Sequence, residues 1–178
     1  MNIFKYLFPA RQDEKLSLDV FSKDLIKPID ELPNFIEELY PVGKTKDQDK
    51  VYQELAIAFL FSIWHPAEVA LLNNPKKNEL LDYVHFNAYG IIKKYSREFN
   101  GVEFESTVKT RYQEYRAILK KQKPDDVFLK LGEAIVYHID ETHASNIGHV
   151  AALGVWIGNC MVENKKFIDK VVQKYTLS

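Results

Sequence analysis

The chain has a single cysteine, Cys160, so no internal disulfide can form and nothing in its thiol content points to an oxidising compartment. It lies in the apolar stretch "VAALGVWIGNCMV", where a small buried thiol is expected; a reactive one needs neighbouring positive charge. No run approaches the roughly 20 apolar residues that span a bilayer, the longest being "LAIAFLFSIW" and the stretch around Cys160. "MNIFKYLFPARQDEK" lacks the long apolar core and small-residue cleavage site of a signal peptide, which predicts a cytoplasmic protein. Net basicity is also missing: the formal charge is -1 and the pI near 6.5, against a nucleic-acid partner. Arginine is scarce, 4 against 20 lysines, so few side chains can grip carboxylate or phosphate with two parallel bonds.

Motifs of several enzyme classes are absent as well. There is no nucleophile elbow, no cysteine near a histidine in sequence and no glycine-rich phosphate loop. "GKTKD" at 43–47 only echoes the end of one, without the earlier glycine or a preceding strand. No catalytic, cofactor-binding or metal-ligating set is predicted.

What is present is helical periodicity. From about residue 49, apolar residues recur at three- and four-residue intervals, while strand alternation and repeats of 20 to 50 residues are lacking. Five main helices are expected. The first carries Val51, Leu55, Ala58 and Ile63 and ends or kinks before Pro66; the second carries Leu81, Val84, Ala88 and Ile91; the third carries Phe104, Val108, Tyr112 and Tyr115. The fourth starts at Pro124 and carries Phe128, Leu131, Ile135 and His138. The fifth, capped by Ser145 or Asn146 and reaching about Tyr175, is apolar on every side over its first half, which predicts a central, surrounded helix. Gly154 and Gly158, one turn apart, suit close approach of another helix.

Residues 1–45 contain Pro9, Pro28, Pro33 and Pro41 and are expected to form an arm of short pieces, packed on a body of residues 46–178. The predicted fold class is thus all-α: a single-domain bundle of about five main helices, with a central apolar C-terminal helix and a proline-broken N-terminal arm.

The polar feature that draws most attention is "YHIDETHASNIGH", residues 137–149, which holds three of the five histidines. "DYVH" at Asp82–His85 and "DETH" at Asp140–His143 each place a carboxylate and an imidazole on one helix face. Two such pairs with two further glutamates, Glu68 and Glu105 or Glu114, parallel the ligand inventory of di-iron bundles, which use glutamate where this chain has the shorter aspartate. In an up-down bundle, however, the two pairs stand about 20 Å apart along the axis, too far for one centre. His138 and His143, five residues apart, diverge by about 140° around a helix and share no ligand. The stretch is therefore predicted to be a helix junction with a break between about residues 142 and 147, because an unbroken helix of about 50 residues exceeds what a globular bundle supports. His138, Asp140, His143 and His149 remain the candidates for a polar pocket.

Two functions from different classes follow. One is a non-enzymatic protein-binding module of the type of a small bacterial regulator or toxin-neutralising immunity protein, its partner another protein. The other is a helical-bundle enzyme or ligand carrier with a polar pocket near Asp140, His143 and His149. Lys109, Gln113, Arg116 and Lys120 on one face of the third helix, and an aromatic content of 13%, offer contact surface for the first. Residues 1–8, "MNIFKYLF", would add a short membrane-surface contact, with no transmembrane segment.

Overall fold

In the computed structural model, residues 15–40, 47–97, 99–140 and 146–178 are described. They form six helices: α1 (Leu18–Leu39), α2 (Gln48–Ala70), α3 (Lys77–Tyr95), α4 (Gly101–Lys121), α5 (Pro124–Ile139) and α6 (Ile147–Lys174). Two short strands, β1 (Lys15–Leu16) and β2 (Thr176–Leu177), pair in parallel with Lys15 opposite Thr176. Leu18 donates its N–H to the Ser178 carbonyl and Ser178 to that of Leu16, both at 3.1 Å, which ties the start of α1 to the end of α6.

The all-α bundle expected from the sequence is what the structure shows, with six helices rather than five. The added helix is α1, where the two internal prolines suggested short pieces. Leu18, Phe21, Leu25, Ile26, Ile29, Leu32 and Ile36 form an unbroken buried stripe along it. Each such side chain contributes about 1.5–3 kcal/mol by burial, whereas a proline inside a helix costs about 3 kcal/mol, so the stripe outweighs Pro28 and Pro33. Pro28 itself is exposed, on the outer side of the helix. Residues 1–14 and 41–46, including "MNIFKYLF", lie outside the described residues.

The surrounded position belongs to α2 and not to the C-terminal helix. From Val51 to Ile63 every side chain of α2 except Gln53 is buried. It packs against α1, α3, α4, α5 and α6 in turn, and one continuous cluster of buried side chains runs through all six helices. On α6 the buried residues Val150, Leu153, Ile157, Ile168 and Val171 make one stripe, while Val155 is 63% and Val162 47% exposed. Valines and alanines on an outer helix face cost little, so apolar composition alone did not distinguish the enclosed helix from the peripheral one. Nor does α2 end at His65. It continues through Pro66 to Ala70, and the His65 ring stacks on Phe61 with centroids 5.7 Å apart.

Several ends follow the local signals. The side chains of Asp47, Asn100 and Asn146 each accept two backbone N–H groups in the first turn of α2, α4 and α6. Close packing of α5 on α6 depends on glycine. A Cβ on Gly154 would strike the Phe128 carbonyl oxygen. One on Gly132 would strike the Val150 carbonyl and stand 2.7 Å from the Gly154 nitrogen.

Candidate binding groove between α3 and α4

The predicted polar junction is a junction, because α5 ends at Ile139 and α6 starts at Ile147. Three of its four candidate residues are among those described. On α5, His138 meets Glu114 of α4 through Nε2 and Oε2 at 2.6 Å, with 14% of the imidazole side chain exposed. Asp140 is the C-terminal cap of α5, its N–H donating to the Val136 carbonyl at 2.8 Å. His149 donates its backbone N–H to the Asn146 side chain and sets its ring against Tyr40, the C-terminal cap of α1, centroids 5.0 Å apart. His143 lies outside the described residues. Among those described, no group of three or more His, Cys, Asp or Glu side chains is placed to hold a metal ion.

The first Asp-x-x-His pair sits elsewhere, in a groove of about 570 Å³ between α3 and α4. Asp82, His85, Phe86 and Tyr89 form one wall; Glu105, Val108, Lys109, Tyr112, Gln113 and Arg116 form the other; Trp64 of α2 reaches in from below. Helical spacing accounts for this: 82, 85, 86 and 89 share a face of α3, as do 105, 108, 109, 112, 113 and 116 on α4. The polar α4 face noted in the sequence is therefore a groove wall.

At the centre, the His85 ring is committed at both nitrogens. Nδ1 lies 2.8 Å from the Leu81 carbonyl and Nε2 3.0 Å from the Tyr112 hydroxyl. A carbonyl only accepts, so Nδ1 carries the proton. Burial holds the imidazole pKa below its ordinary value, against opposing pulls from the Leu81 carbonyl and the charges of Asp82 and Glu105, so the ring is neutral and Nε2 accepts from Tyr112. Burial likewise pushes the Tyr112 phenol well above its usual range, which keeps it a donor. The pair is a fixed, uncharged strut between the two walls.

Around it the groove is aromatic below and charged at the rim. Trp64 tilts against Tyr112 at 4.9 Å, and the Arg116 guanidinium lies 5.0 Å above the indole. Glu105 pairs with Lys109 at 2.6 Å, and that hydrogen bond holds its carboxyl below the usual range. Asp82 and Arg116, on opposite walls, make no ion pair among the described residues. Phe86 stands at the lip, 76% exposed. Behind the groove, Glu54 of α2 takes a two-pronged bond from Arg111 of α4, at 2.9 and 3.1 Å. The His85–Tyr112 and Glu54–Arg111 contacts join residues 27 and 57 positions apart, a separation at which helical spacing gives no signal.

No protein-family model matches the chain, and neither a curated protein nor a solved structure resembles it significantly.

Proposed function

We propose that the chain is a non-enzymatic protein-binding module, a small cytoplasmic bacterial regulator or immunity-type protein that receives its partner in the α3–α4 groove. The observation that carries this reading is the exposure of Phe86, 76%, beside an aromatic floor and between Asp82 and Arg116, which form no ion pair among the described residues. A large aromatic at the lip of a preformed concave surface is the kind of residue that anchors interfaces. A helix is the occupant that fits a trough between two helices, with side chains at three- and four-residue spacing reaching the floor. Its charges are specified too: a basic residue faces Asp82 and an acidic one faces Arg116.

The chemistry of the groove supports binding over turnover. A general acid or base must have a free proton site, and both nitrogens of His85 are already engaged. No helix among the described residues is long and apolar enough to cross a membrane.

The reading is tested by isolating the wild-type chain and Phe86→Asp from native cells under identical conditions. A protein recovered in near-stoichiometric amount with the wild type and lost with Phe86→Asp is the expected result. Recovery of no partner, together with a small molecule that raises the melting temperature, overturns it.

A further inference from the structure

A second groove, of about 440 Å³, lies between α1 and α6, with Phe59 of α2 in its lining. Three aromatic rings line it. Phe59 is buried, Trp156 tilts against it with centroids 6.5 Å apart, and Phe35 is 45% exposed. Leu32 adds apolar wall. The charged residues of the lining are both carboxylates, Glu31 on α1 and Glu163 on α6, and no lysine or arginine belongs to it. Lys166, one turn on, meets Glu163 at 2.7 Å, but that pair is about two-thirds exposed on each side and is worth little in water. Burial pushes the Cys160 thiol up to about 11, so at neutral pH it is uncharged and the carboxylates alone set the sign of the wall.

The remaining polar wall is anchored from behind. Asn164 donates through Nδ2 to the Ser62 hydroxyl at 2.9 Å, and Ser62 donates to the Phe59 carbonyl at 2.6 Å. Rings present electron-rich faces, and those faces with two carboxylates make a surface for positive charge on an apolar body. The α3–α4 groove is aromatic too, but carries Lys109 and Arg116 beside its two carboxylates and has no such preference.

We propose that the groove between α1 and α6 binds an organic monocation with an apolar body, an aryl- or alkylammonium compound. The cation lies against Trp156 and Phe35 between Glu31 and Glu163, and its apolar part covers Leu32 and Phe59. Binding here is independent of the partner assigned to the α3–α4 groove.

The test follows the two indole N–H resonances of the full chain by NMR, assigned with Trp64→Phe, during titration with three compounds of similar shape. Phenyltrimethylammonium is expected to shift the Trp156 resonance saturably and leave that of Trp64 in place. Neutral tert-butylbenzene should bind about tenfold more weakly, and benzenesulfonate should give no shift. The double variant Glu31→Gln, Glu163→Gln should bring the cation down to the affinity of the neutral compound with an unchanged helical circular dichroism spectrum. Equal affinity for the cation and the neutral compound, a shift confined to Trp64, or no shift overturns the proposal. So does a Trp156 shift driven by protein concentration alone, which assigns the groove to a second copy of the chain.

Discussion

The hydroxyl of Tyr52 on α2 donates to the carbonyl of Ile29 on α1 at 3.3 Å. Ile29 is four residues before Pro33, so its carbonyl is the acceptor that Pro33, having no N–H, leaves without a helical partner. The bond thus supplies from a neighbouring helix what the proline removes.

Tyr52→Phe removes only the donor and leaves that buried carbonyl unsatisfied. A loss of about 1–2 kcal/mol is expected in urea denaturation. Tyr52→Phe combined with Pro33→Ala, which restores the amide donor, should recover most of it. A Tyr52→Phe protein as stable as the wild type contradicts this account of how α1 passes its second proline.

That contact also marks where the sequence stopped being informative. The sequence divided residues 1–45 into short pieces because the prolines spoke against continuity, and the donor that answers Pro33 is 23 residues from its acceptor. The cap of α6 at Asn146, the start of α5 at Pro124 and the break before α6 rest on neighbours in the chain and were legible. The groove was half legible. Asp82–His85 and the Lys109–Gln113–Arg116 face each stood out, yet nothing within either helix tells that α3 and α4 line one trough or that Tyr112 engages His85. Histidine density directed attention to 137–149, where density reflects a helix junction.

Arg111 and Glu54 bind each other through two hydrogen bonds, with 17% and 7% of their side chains exposed. Arg111→Ala leaves a buried carboxylate without its counter-charge and should cost about 3–5 kcal/mol, whereas replacing both by methionine should cost much less. Denaturant midpoints of Arg111→Ala and of the double methionine variant check this. Equal losses for Arg111→Ala and the double replacement would show that packing, not charge, is what the pair provides.

Burial lowers the pKa of His85 and, with the added repulsion of Arg116, that of His65. Because the folded pKa lies below the unfolded value of about 6.5, the unfolded chain takes up protons first as pH falls. Stability contributed by the neutral rings is complete above 6.5 and declines as pH drops through that value toward the folded pKa. Asp19 and Glu105, whose carboxyls are lowered, act only below their ordinary values of 3.8 and 4.5 and leave the window free. Melting temperature is expected to fall between pH 7 and 5, and to fall less in His85→Gln. An equal fall in both proteins would remove His85 from the explanation.

Two glycines on helices should respond oppositely to alanine. Gly154→Ala drives a methyl into the Phe128 carbonyl and should cost about 1–3 kcal/mol by forcing α5 from α6. Gly90 of α3 has nothing within 4 Å of an added Cβ, so Gly90→Ala should stabilise by about 0.5–1 kcal/mol through helix propensity alone. Thermal unfolding of the pair reads both signs, and a neutral Gly154→Ala would deny the close contact.

Docking of a protein in the α3–α4 groove is read without intermediaries by photocrosslinking. A benzophenone amino acid replaces Phe86 at the groove lip in one variant and Val155, 63% exposed on α6, in another. Illumination in native cells is predicted to join one discrete protein to the Phe86 variant and none of it to the Val155 variant, with the crosslinked peptide forming a helix that carries both a basic and an acidic residue. No adduct at Phe86, or the same adducts at both positions, would contradict the account.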